Sequence, residues 1–402
     1  MAPTDGDTEP DGPDRRLVLG LSAGGWALSQ GTWLLLPALA VPIRETLDIG
    51  NAAFGAVMTV LWAAIALTQF PSGLLSDELG HRTVLVPTML AAGVTVAALA
   101  WLEALPAFLI LVVFVGVGTG AFPTVARALL SSRFGEDRGR AFGVFGGAGD
   151  AAGVATPLVA TAAIAAGVWR VAFLAVGAAV VLAAAGFHVL LAGDYDFRRP
   201  PVLGPGRDSF AEVLRPGVPV AILCYSTFAL VWQGSTSFLP LYMYEAKGLT
   251  LARANGMLSV LFLMGMLVKP AAGWVSDLVG RRSLVVGSLF VAGCLLAGLA
   301  LLARRPVVVV ATVAAFGGAL MTFQPVMQAY LMDWFEGASE GGAFGLARLI
   351  YATIASVGST VVGVGSGTVG YDAVFAVLAV GLIVASVALL FTTARVADPA
   401  TA

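Results

Sequence analysis

The chain has 402 residues, of which 58% are hydrophobic and 11% charged, and it carries 49 glycines. So apolar a composition excludes an ordinary soluble domain and places the chain in lipid. A net charge of −2 with scattered basic residues argues against nucleic acid as a partner. The two cysteines, Cys224 and Cys294, fall in separate apolar runs. That placement suits buried apolar thiols better than a disulfide or metal site, and no cofactor is implied.

The first 16 residues, MAPTDGDTEPDGPDRR, hold five acidic side chains before Arg15 and lack the basic start of a signal peptide. They read as a disordered acidic tail. Beyond them, apolar runs of roughly 20 residues recur, each about long enough to cross a hydrocarbon layer as a helix. Helices also satisfy the backbone where there is no water to do so. Six spans are predicted near 17–42, 51–73, 83–103, 106–131, 140–166 and 169–193. Six more follow near 216–243, 251–275, 283–303, 306–331, 341–367 and 371–393. The proline-bearing polar segment between Gly193 and Gly217 divides them. The predicted organisation is a tail at 1–16, a six-helix bundle at 17–193, a cytoplasmic linker at 194–215, a second bundle at 216–394 and a tail at 395–402.

Orientation follows from the positive charges. With the N-terminus in the cytoplasm, thirteen Arg or Lys residues lie on cytoplasmic segments and six, including Arg44, Lys247 and Arg253, on external ones. The positive-inside rule therefore puts both termini in the cytoplasm, and the expected location of the chain is the inner membrane.

The halves repeat at an offset near 200 residues. QGTWLLLP at 30–37 matches QGSTSFLP at 233–240, Pro123 matches Pro325, and RAFG at 140–143 matches GAFG at 342–345. The expected fold is an all-α membrane protein, twelve transmembrane helices in two six-helix bundles related by a pseudo-twofold axis. Paired prolines predict bends in spans four and ten.

The polar break GLLSDELGHR, residues 73–82, recurs as GWVSDLVGRR at 273–282. Both resemble the signature turn of the major facilitator superfamily. Gly73, Leu75, Ser76, Asp77, Gly80 and Arg82 match it, whereas Glu78 and His81 replace basic positions. Gly273, Ser276, Asp277, Gly280, Arg281 and Arg282 carry the second copy. GGAGDAAGVATP at 146–157 and GVWRVAF at 167–173 resemble family segments of spans five and six, while the arginine that many proton-coupled members carry near Val112 is absent. The resemblance covers nearly the whole chain. It implies a monomeric secondary transporter, a symporter or antiporter that rocks two bundles about a central site. In that scheme the turns are conformational latches, and Asp77 is expected to meet either an arginine or the positive N-terminal end of a helix that begins on the cytoplasmic side, span eleven being a candidate. The resemblance further implies that spans one, four, seven and ten line a cavity, with spans five and eight adjacent at the bundle interface.

Charges within spans are costly, at about 2.5–3.5 kcal/mol near the bilayer centre, so each is a functional candidate. Asp150 lies near the middle of span five, while Arg127, Lys269 and Arg348 lie in the cytoplasmic third of spans four, eight and eleven. Asp150 and Lys269 are candidate partners, and Asp150 is the candidate proton site. Three cations against one carboxylate favour a small organic anion as substrate. Gln30, Gln233, Gln324 and Gln328 are expected beside Arg127 in the substrate site, with Gln30 and Gln233 facing each other across the cavity. Trp26, Trp33, Trp232 and Tyr351 are candidate walls. Their apolar faces suit an alternative, export of hydrophobic compounds. An alternative of another class is a membrane sensor on the same scaffold without transport. An enzyme is not implied, since no paired carboxylates, metal-spaced histidines or serine–histidine arrangement stands out.

Overall fold

The computed structural model describes residues 15–191, 194–198, 207–303, 305–335 and 340–392. Residues 1–14 of the expected acidic tail, the expected tail 395–402, and Arg199 and Arg304 lie outside the described residues. Arg15 and Arg16, assigned to that tail from the sequence, instead open the first helix.

The first bundle comprises α1 (Arg15–Ala38), α2 (Ala40–Leu47), α3 (Asn51–Leu79), α4 (His81–Ala98), α5 (Leu105–Phe134), α6 (Arg138–Ala165) and α7 (Trp169–Leu190). A short α8 (Arg207–Val213) lies in the linker. The second bundle comprises α9 (Val218–Leu241), α10 (Leu251–Val279), α11 (Arg281–Leu301), α12 (Pro306–Trp334), α13 (Glu340–Ser356), α14 (Gly358–Thr368) and α15 (Tyr371–Thr392). Among the described residues, 11 spans are long and apolar enough to cross a membrane, α13 with α14 counting as one, and the bent pair α1–α2 makes a twelfth.

Packing repeats between the halves. In the first, α3 and α4 lie on α5, α4 on α7 and α1 on α6; in the second, α10 and α11 lie on α12, α11 on α15 and α9 on α13 and α14. The interface between bundles is correspondingly twofold, α6 against α10 and α3 against α13 and α14. The chain breaks are not at the paired prolines. Helices α5 and α12 run uninterrupted through Pro123 and Pro325, and the breaks fall at Leu39, where the chain bends by 61°, and at Val357. A proline removes one N–H from the helical ladder, and in membrane helices neighbouring groups can satisfy the carbonyl it frees.

Each half has a one-residue turn. Gly80 (φ 83, ψ 153) joins α3 to α4, and Gly280 (φ 82, ψ 136) joins α10 to α11. These angles approach a region that side chains other than glycine's do not tolerate, which is why the residue repeats. The end of the molecule bearing these turns is the near end, and the opposite one is the far end.

Closure between bundles is strongest toward the far end. Arg44 of α2 pairs with Glu245 across the interface at 2.5 Å. Asn255 of α10, fully buried, donates from Nδ2 to the carbonyl of Ala38 at 3.1 Å and to Thr161 Oγ1 at 3.0 Å. Helices α3 and α14 meet backbone to backbone: a Cβ on Gly55 would lie 2.7 Å from the carbonyl oxygen of Ser359, and one on Gly363 would lie 2.5 Å from that of Asn51. Further cross-bundle bonds continue to the middle, from Thr59 to Thr360 at 2.8 Å and from Trp62 Nε1 to Ser237 Oγ at 3.2 Å.

Candidate functional site

Below these contacts a cavity of about 220 Å³ lies between the bundles. The helices implied by the family resemblance contribute to it: α1 gives Trp26, Gln30 and Trp33, α5 gives Thr119, Pro123 and Arg127, α9 gives Trp232 and α12 gives Gln324. The interface helices contribute as well, with Trp62 and Gln69 from α3, Asp150 from α6, Phe262 and Lys269 from α10, and Arg348 from α13.

Charge dominates its near-end side. Lys269 Nζ donates to Asp150 Oδ1 at 2.6 Å and so ties α10 to α6 across the interface. The Asp150 side chain is 6% exposed, and a carboxylate this deep needs such a partner to offset lost hydration. Arg127 lies over the Phe145 ring, 5.5 Å from its centroid, and Arg348 is near enough for the two guanidinium charges to act on each other. Neither arginine forms an ion pair with a described residue. Asp150 is the only acidic residue of the described lining, so its four charged groups leave a surplus of two positive charges.

The far-end side is aromatic. Trp33 and Trp62 ring centroids lie 4.8 Å apart, Phe262 lies 6.2 Å from Trp33, and Trp232 lies 5.6 Å from Phe262. Trp33 Nε1 donates to Gln30 Oε1 at 2.8 Å, so that amide oxygen is already engaged. Trp26 stacks on Phe145 at 5.4 Å.

Two of the expected amides are elsewhere. Gln233 is buried outside the lining, its side-chain oxygen unpartnered, and its backbone carbonyl accepts from Ser359 Oγ at 3.4 Å. The expected pairing of Gln30 with Gln233 across the cavity is therefore not formed. One residue of helix turns the side chain by about 100°, and it is the neighbouring Trp232 that reaches the cavity. Gln328 stands behind the lining, donating from Nε2 to Tyr225 Oη at 3.1 Å, and Tyr225 in turn packs on Tyr351 at 3.9 Å between centroids. Tyr351, expected as a wall, thus belongs to this supporting layer and not to the lining.

Sequence reading missed Trp62, Gln69 and Phe262. Gln69 had a usable signal, an amide seven residues after Trp62 and therefore on the same helical face. The cysteines are both free, with Cys224 buried as expected but Cys294 exposed on the outer surface.

At the turns, Arg82 donates to the carbonyl of His188 at 2.9 Å, and Arg282 donates to that of Leu390 at 2.8 Å. Arg281 pairs with Asp333 of α12. A Cβ on Gly73 would touch Thr124 at 3.2 Å, whereas Gly273 faces open space. Asp77 and Asp277 are exposed and make no hydrogen bond or ion pair with a described residue; the expected contact of Asp77 with the start of span eleven falls at 336–341, outside the residues whose side chains are described.

These features define a multi-pass membrane protein of paired helical bundles with a polar cavity at their junction. The chain belongs to the Major Facilitator Superfamily, whose family model matches residues 21–321 and again 221–402. It is 27% identical to the "Probable nitrate/nitrite antiporter NarK1" of Thermus thermophilus over 69% of this chain and 65% of that protein. It is 23% identical to the "Probable sulfoacetate transporter SauU" of Cupriavidus necator over 67% of this chain and 66% of that one. The "Membrane sensor protein UhpC" of Salmonella typhimurium is 27% identical over 68% of this chain and 66% of its own length. The chain thus spans slightly less than two thirds of each of these relatives. Among solved structures, a bacterial homologue of the human lysosomal transporter Spinster, in an inward-facing and occupied conformation, superposes with a TM-score of 0.79 at 15% identity, covering 97% of this chain and 100% of that one. The nucleoside transporter NupG gives a TM-score of 0.79 at 14% identity, covering 94% of this chain and 98% of its own. These two establish likeness of fold.

Proposed function

We propose that the protein is a secondary transporter that carries a small organic anion across the bacterial inner membrane by alternating access. The observation that carries this reading is the pair Arg127 and Arg348, two guanidinium groups in one cavity without ion-pair partners among the described residues. Uncompensated positive charge in a low-dielectric site attracts an anion strongly. Relatives named for nitrate/nitrite and sulfoacetate support the same sign of charge.

Both termini and the two turns are assigned to the cytoplasm, which makes the far-end closure an inward-facing state. The latches of the two turns then engage in the opposite state, when the near end closes. Asp150 is the proposed proton site: protonation would release Lys269 and loosen the α6–α10 interface. Accumulation of substrate against its gradient by Asp150→Asn would remove the coupling role.

Counterflow in proteoliposomes comparing carboxylates with lipophilic cations tests the whole reading. Exchange of carboxylates, reduced by Arg127→Gln and by Arg348→Gln, is expected. Exchange of lipophilic cations alone would replace it with export of hydrophobic compounds. The relative named as a sensor supports a second reading, in which carboxylates bind without any flux.

A further inference from the structure

We infer that the anion is an aryl carboxylate, with its ring lodged against the aromatic roof and its carboxylate between Arg127 and Arg348. This rests on the anion reading above and adds to it the nature of the substrate's body.

The cavity is divided along its depth. Its far-end wall is a continuous set of four rings, Trp33, Trp62, Trp232 and Phe262, with neighbouring centroids 4.8 to 6.2 Å apart. The indole N–H groups of Trp33 and Trp62 are spent on Gln30 Oε1 and Ser237 Oγ. What those rings have left for a ligand is hydrocarbon surface and π faces, which favour offset or edge-to-face contact with another ring. A hydroxyl group placed against those two rings would lose its hydration without gaining an indole donor from either.

Helical spacing fixes the second feature. Trp62 and Gln69 are seven residues apart on α3, and Phe262 and Lys269 are seven residues apart on α10. Seven residues rise roughly 10 Å, so on two facing helices the polar level lies about that far from the roof. The span matches a phenyl ring carrying a short side chain that ends in a carboxylate. A volume of about 220 Å³ accommodates one such molecule and little more.

The test uses the purified full-length protein, with tryptophan fluorescence as the binding signal and three probes: 3-phenylpropionate, gluconate and uncharged 2-phenylethanol. Saturable quenching by 3-phenylpropionate is expected, with affinity at least about tenfold above that of either other probe, a difference of about 1.4 kcal/mol. Gluconate binding as tightly as 3-phenylpropionate, or more tightly, overturns the aryl inference and leaves the anion reading standing. Equal binding of 2-phenylethanol and 3-phenylpropionate overturns both. Silence from all three overturns the aryl inference, and counterflow with short carboxylates then decides the anion reading separately. The ranking is read on the unaltered protein, so no variant need fold for the outcome to count. In Arg348→Gln, 3-phenylpropionate is expected to lose its advantage over 2-phenylethanol.

Discussion

The two near-end turns share a backbone and differ in what holds them. Arg82 and Arg282 are equivalent by the repeat, and each binds a backbone carbonyl at the end of the last helix of its own bundle, that of His188 or Leu390. The preceding position separates them. Arg281 reaches Asp333 on α12, but its counterpart is His81, for which no such pair exists among the described residues. The first turn is instead strapped by the linker: Arg198 donates to the carbonyl of Glu78 at 2.8 Å, and Tyr195 lies under Arg82 with its hydroxyl 2.6 Å from His188 Nδ1. Among the described residues, the second copy of the motif carries an ion pair that the first does not, and the first carries a covering segment from the linker. Conservation of backbone geometry with substitution of fasteners indicates that the turn's shape is the constrained quantity.

The strongest way to test that view is to strain the shape itself. Gly80→Ala and Gly280→Ala should each lower stability by about 1–3 kcal/mol and by similar amounts, read as thermal midpoints in detergent. A clear inequality would mean that the copies are not equivalent even in backbone. Next comes Arg82→Ala against Arg282→Ala. Charge-assisted bonds to carbonyls contribute about 1.5–3 kcal/mol where sheltered, and less at this exposed end. The Arg82 variant should be the more damaging because it also frees the linker, and its additional loss should appear as faster proteolysis at residues 194–198. Smaller still is Arg281→Ala, about 0.2–1 kcal/mol for an exposed pair, with the difference disappearing in high salt. Alanine at His81 should cost less than that. Last, Asp77→Asn should leave the thermal midpoint nearly unchanged, since Asp77 is exposed and makes no hydrogen bond or ion pair among the described residues, while slowing flux with substrate affinity retained. Loss of affinity at normal flux would remove its assignment as a latch.

Much of the architecture is visible in the amino-acid order, because crossing a bilayer demands apolar runs that nothing else explains and because the turn occurs twice. Smaller features were hidden for physical reasons. The linker helix α8 is too short for periodicity to announce it, and the break at Val357 sits in a run of helix-compatible residues. In the cavity, Asp150, Lys269, Arg127 and Arg348 were conspicuous because burying charge is costly. Trp62 and Phe262 were not, because an aromatic side chain in an apolar span is unremarkable until its neighbours are known. Gln233 shows the remaining difficulty: a displacement of one residue around a helix separates a lining group from a buried one, and no spacing rule resolves it without the partner helix.

Asn255 has a consequence for how the far end opens. Its amide joins Ala38 and Thr161 across the bundles with no exposure to solvent. Separation strips the Asn255 amide of both acceptors, while Thr161 keeps its bond to the Pro157 carbonyl, so unless water enters to replace them the amide is left without a partner and opening is also a wetting event. Osmolytes excluded from protein surfaces oppose such exposure. Sucrose at equal ionic strength should therefore slow the opening half of the cycle, making water activity a control on which side the cavity faces.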